Sequence, residues 1–197
     1  MSDQPVIATP LLKLELVVAA LLLALAMAWN AWRHLELWDA LQWSGHYGLL
    51  GLLAAVPPLM MIPLLELSWN SSFPVLRHLR QDIRKGLLPL LKHIRFTEAL
   101  VLSCLAGLSE EVFFRGVLQH EIGLVLASLI FGLFHALSFA YVLWATAMGG
   151  YLGCLANWSG NLWPSIVTHT VVDLVGFWYV RHIVAARLDH NTRRGTE

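Results

Sequence analysis

In this chain of 197 residues, 57% are hydrophobic and only 13% charged, about half the charged share of an ordinary soluble domain. Thirteen basic and thirteen acidic side chains cancel, leaving no basic field or stripe to hold nucleic acid. A soluble fold and a nucleic-acid module are both excluded, and the expected solvent is lipid.

Residues 11–32 read LLKLELVVAALLLALAMAWNAW, longer than the roughly 20 residues a helix needs to cross the hydrocarbon. A cleaved leader is the rival reading. Lys13 and Glu15 lie late for one, and Trp29, Trp32 and Arg33 follow where small residues would mark cleavage, so a retained span is expected. A second run, 46–67, holds Pro57, Pro58 and Pro63 and predicts a kinked helix whose freed carbonyls find partners inside the bundle. Between residues 70 and 95, Arg77, Arg80, Arg84, Lys85, Lys92 and Arg95 alternate with apolar side chains. This is the pattern of an amphipathic interfacial helix, broken near Gly86 and Pro89.

Four further runs, 96–118, 122–140, 141–158 and 162–180, complete the expectation. It is an all-α polytopic membrane helix bundle with about six transmembrane helices plus the interfacial one. The fourth and fifth runs almost touch, so either the turn at 139–141 is tight or one helix is short. Asn157-Trp158-Ser159-Gly160-Asn161 reads as a turn, and Pro164 suits the first turn of the helix after it. Counting rise per residue, Glu110 falls deep in its span and His135 near the end of its own. With six spans, eleven of the thirteen basic residues fall on one side, which predicts a multi-pass protein of the cell inner membrane with both termini cytoplasmic. With no internal repeat or long linker, residues 1–197 read as one domain.

Glu98, Glu110, Glu111, Arg115, His135, His169 and Asp173 fall in or near these spans, where an ionisable group is costly enough that function is the default hypothesis. The alternative is a buried polar network that fixes packing. Glu111 and Arg115 lie one helical turn apart in the favourable order for an ion pair. Glu110, turned about 100° away, needs a partner from another helix or stays protonated. His169 and Asp173 are likewise one turn apart, so the carboxylate can orient the imidazole. Together these residues can activate a water and stabilise an oxyanion: Glu110 as base, His135 positioning, His169 on the oxyanion. One Glu and two His also match the ligand count of catalytic zinc, but the short His-Glu-x-x-His motif is absent, so no cofactor is expected and zinc is the minority reading. Ser109, Ser138 and Cys104 lack the context of a nucleophile, and Cys104 and Cys154 match no metal or redox spacing.

This pattern resembles the CPBP family of glutamic-type intramembrane endopeptidases, which includes the type II CAAX prenyl endopeptidases and the bacterial Abi-type proteins. Its paired glutamates with arginine look like Glu110, Glu111 and Arg115. Its phenylalanine and histidine four residues apart look like Phe131 and His135, and its last motif looks like His169 and Asp173, after Asn161-Leu162-Trp163-Pro164. Asp173 stands where the eukaryotic prenyl-protein branch has asparagine. The resemblance covers residues 96–180 as a catalytic core. It implies that Glu110 and His135 activate the hydrolytic water, that His169 and Asp173 line the oxyanion region, and that Glu111 and Arg115 hold the site together. It also implies a membrane-associated or membrane-spanning protein or peptide as substrate. A noncatalytic scaffold or immunity factor, and a small proton-relaying transporter, are the other readings. Gly132, Gly149, Gly150 and Gly153 could serve a dimer contact or packing within one chain.

Overall fold

The computed structural model describes residues 10–63, 73, 74, 77, 81, 83–91 and 94–184. Among them every regular element is helical. The first long apolar run forms α1, Pro10–Arg33, and a short α2, Leu37–Ala40, follows it. The proline-bearing run breaks as expected, into α3, Gly45–Ala54, and α4, Val56–Leu59, with Pro57 and Pro58 in the first turn of α4, where a missing N–H costs least. Its far end, 64–67, lies outside the described residues, as does much of the interfacial segment. What is described there is a π-helical turn, Ile83–Leu87, running into α5, Leu88–Leu91. It buries Ile83 and Leu91 and exposes Arg84 and Lys85, as an amphipathic element should.

Residues 96–179 are built into four helices joined by short turns. α6, Phe96–Phe113, passes through a π-helical turn, Phe114–Leu118, into α7, Gln119–Phe134. α8 spans Phe139–Ser159 and α9 spans Trp163–Tyr179. Four stretches among the described residues are long and apolar enough to cross a membrane: Pro10–Arg33, Gly45–Pro63, Phe96–Phe134 and Phe139–Ser159. The difference from six has a physical reason. Phe96–Phe134 is continuous in hydrogen bonding, yet Gly123 inside it has φ 82° and ψ 165°, a conformation that glycine reaches without a Cβ penalty. The break therefore falls at Gly123, not near residues 119–121, and α7 is the short helix foreseen at the crowded joint. α9, at 17 residues, is slightly too short to count by length alone.

α7 packs on α8, α9 on α6 and α3, and α1 on α6. Small residues allow the closest contacts: a Cβ on Gly132 would stand 2.0 Å from Thr146 Oγ1, and one on Gly107 would stand 2.3 Å from Thr170 Oγ1. Gly132, Gly149 and Gly153 thus serve packing within the chain. At one end of the bundle the loops interlock. Leu162 N donates to Ala40 O, Asn161 Nδ2 to Gln42 O and Trp163 Nε1 to Leu41 O, while Arg33 pairs with Glu121 at 2.9 Å. Gly160, at φ 63°, closes α8 in the left-handed conformation. At the other end Glu98 has a purely structural role, since its carboxylate accepts from the Arg95 backbone N–H at 2.9 Å and caps α6.

Candidate active site

Glu110 and His135 are twenty-five residues apart, which a straight helix would turn into about 37 Å. Their side chains face each other at 3.6 Å, Glu110 Oε2 to His135 Nε2. The turn at Gly123 makes this so. Both residues lie about 18–20 Å along their helices from that glycine, so folding back at Gly123 brings them level. The depth mismatch expected from the sequence came from placing the turn several residues too early. His135 stands at the C-terminal cap of α7, and its Nδ1 lies 2.8 Å from Phe131 O. A carbonyl only accepts, so Nδ1 carries a proton, and Nε2 is the ring nitrogen turned toward Glu110.

Glu111 anchors the second half of the site. Its Oε1 accepts from Arg115 Nη1 at 2.8 Å and also meets His169 Nδ1 at 2.8 Å, and the side chain is wholly buried. Arg115 Nη2 donates to Gly149 O, and the guanidinium lies 4.3 Å from the Phe131 ring centroid. The Phe131 ring is thus flanked by Arg115, His135 and His169, with ring centroids 4.5 Å from His135 and 5.9 Å from His169. Asp173 Oδ2 faces His169 Nε2 at 3.5 Å. The orientation of His169 expected from Asp173 is therefore supplied mainly by Glu111, with Asp173 on the other nitrogen. Of the seven ionisable residues singled out in the sequence, all but Glu98 come together in one region.

A cavity of about 450 Å³ opens beside Asp173, walled by Leu59, Ile62, Leu87 and Phe177 with Tyr141 and Trp144. A second, of about 300 Å³, sits at the interlocked end and reaches Arg115 past Asp39, His120 and Asn161. Sequence reasoning missed Tyr141, which shares the wall with Asp173, and the inward placement of Glu15 on α1. Neither belongs to a short motif that could have announced it. Ser138 accepts from Tyr141 N as the cap of α8, Ser109 is buried, and Cys104 is exposed, so none is set up as a nucleophile. Among the described residues no three His, Cys, Asp or Glu side chains converge in a way that could hold a metal ion.

Residues 93–175 match the family described as type II CAAX prenyl endopeptidase Rce1-like. The core of this chain is thus similar to that family. The match covers all six candidate residues, whereas α1 with Glu15 lies outside the matched residues. Uncharacterized protein YpbD of Bacillus subtilis (strain 168) is 37% identical over 98 residues, 47% of this chain and 50% of that protein. The chain thus spans about half the length of this relative. No solved structure matches.

Proposed function

We propose that this chain is an intramembrane endopeptidase that hydrolyses a peptide bond of a membrane-associated or membrane-spanning protein by water activated between Glu110 and His135. The carrying observation is that pair, a carboxylate oxygen and a ring nitrogen 3.6 Å apart. A water donating one hydrogen to Glu110 Oε2 and the other to His135 Nε2 turns its lone pair toward a substrate carbonyl. Glu110 takes the proton as the carbon–oxygen bond forms, then gives it to the leaving amide nitrogen as the carbon–nitrogen bond breaks. His169, its Nδ1 fixed by Glu111, directs Nε2 toward the oxyanion side, where Asp173 also lies. Glu111 and Arg115 position it.

Both nitrogens of His169 face carboxylates, an arrangement that two N–H donors satisfy. No step calls for a metal. The excess of lysine and arginine on one side supports an inner-membrane protein with cytoplasmic termini and the apolar cavity open toward that side. The family's description supports a CAAX-type substrate class.

The fully buried Arg115–Glu111–His169 chain is also what a packing network for a noncatalytic scaffold would contain, but Glu110 has no place in such a network: its Oε2 is closed off and lacks a hydrogen-bond donor. The test is cleavage of bilayer-embedded peptides by the purified chain in liposomes. Products that appear with wild type and not with His135→Ala support the reading, while equal cleavage by the two would end it.

A further inference from the structure

A tetrahedral oxyanion is held by hydrogen-bond donors aimed at it. On the oxyanion side of the proposed site, Asp173 as a carboxylate only accepts, and Nε2 of His169 is already turned to Asp173 at 3.5 Å. A donor from another helix would complete the pocket. Among the described residues that wall the cavity beside Asp173, the polar side chains other than Asp173 are Tyr141, Trp144 and Tyr179. Tyr179 is buried six residues further along α9, in the cluster of Leu91, Ile94 and Val180. Tyr141 and Trp144 of α8 are left.

Helix register separates these two. The Cα of Gly132 on α7 packs against Val142 O and Thr146 Oγ1 of α8, which makes it level with residue 144, midway between them. α7 and α8 run antiparallel across the short 135–138 turn, so three residues on, His135 is level with Tyr141. On the α9 side, Ser165 Oγ donates to Leu152 O at 2.8 Å. Asp173 lies eight residues after Ser165 and Trp144 eight before Leu152. Those two are therefore level, and Tyr141 is one turn, about 4.5 Å, past Asp173. Tyr141 thus stands between the Glu110–His135 pair and Asp173, half-buried in the cavity wall, whereas Trp144 is a turn short of His135. The first turn of α8 is fixed there by Ser138 Oγ, which accepts from Tyr141 N.

Resting on the endopeptidase reading, we infer that Tyr141 is a further catalytic residue: its hydroxyl donates a hydrogen bond to the oxygen of the scissile carbonyl as that oxygen gains charge. The water between Glu110 and His135 attacks the carbon, and the carbonyl oxygen turns to the cavity rim, where Tyr141 approaches from α8 and His169 from α9. The phenol keeps its proton throughout. A hydrogen bond to an oxyanion is about twice as strong as one to a neutral carbonyl, so the contribution falls on the transition state and shows in kcat.

The test compares wild type with Tyr141→Phe, which keeps the ring, in liposomes carrying a cleavable bilayer-embedded peptide. The substitution should lower kcat by about 10²-fold, hold KM within about twofold and leave thermal unfolding unchanged. Two uncleavable versions of the same peptide separate catalysis from packing. A phosphinic peptide, whose tetrahedral anion imitates the intermediate, should lose affinity in Tyr141→Phe by a factor similar to the fall in kcat. A reduced-amide peptide, which has no oxygen to hold, should bind the two proteins alike. A structural role would move both analogues together. A wild-type kcat in Tyr141→Phe, or an unchanged preference for the phosphinic over the reduced-amide peptide, overturns the inference while the cleavage reading stands. Absence of cleavage by wild type overturns that reading and this inference with it.

Discussion

At the scale of single residues, the site divides into groups whose loss should be felt differently. Glu110 is half-buried and holds no structural partner closer than the 3.6 Å to His135, so Glu110→Gln should reduce cleavage by about 10²–10⁴-fold and leave thermal unfolding in detergent within a degree or two of wild type. Arg115→Ala should do the reverse first. It strands a wholly buried Glu111 carboxylate, costing about 3–5 kcal/mol, and a large fall in unfolding temperature with loss of His169 alignment is the expected outcome. An Arg115→Ala protein as stable as wild type would contradict the network. The i,i+4 pairs were legible in the sequence because helix geometry alone fixes them. The contact of Glu111 with His169 was not, because no local rule says which of two adjacent carboxylates faces a histidine fifty-eight residues away. Glu15 was read in the sequence only as a charge lying late for a leader.

At the scale of helices, the long apolar runs announced themselves because a bilayer demands length and uniform hydropathy. The joints between them did not. Gly123 sits in QHEIGLVL, where nothing but its missing Cβ distinguishes the break, and that offset of a few residues decides whether Glu110 and His135 meet. Helix contacts test the packing directly. Gly132→Ala puts a methyl group 2.0 Å from Thr146 Oγ1 and 2.8 Å from Val142 O, so α7 must move off α8 at a cost of about 1–3 kcal/mol, carrying His135 with it. Gly176→Ala, where nothing lies within 4 Å, should be neutral or slightly stabilising. Differential scanning fluorimetry of the two proteins separates the cases. Equal unfolding temperatures would mean that Gly132 does not set the helix spacing.

For the whole molecule, the bundle has one end tied by Arg33–Glu121 and the 160–163 turn, and another carrying Arg95, Ser138 and Arg181, whose guanidinium donates to Ile94 O. Lysine and arginine counts predict that the second end faces the cytoplasm. In a protein with Cys104 and Cys154 replaced by alanine, a cysteine at position 34 should react with an impermeant maleimide from outside intact cells, and one at position 95 only after lysis. The opposite pattern would invert the orientation. The order of the apolar helices could be read from hydropathy, whereas the apolar cavity beside Asp173 could not, because it forms from α4, α5, α8 and α9 together. The central claim is that this bundle exists to hold a hydrolytic water on Glu110. It is tested most directly by following cleavage of a bilayer-embedded peptide and thermal unfolding in the same preparations of wild type and Glu110→Gln. The account predicts matching unfolding curves and products from wild type alone, and a stable Glu110→Gln protein that cleaves as fast as wild type would contradict it.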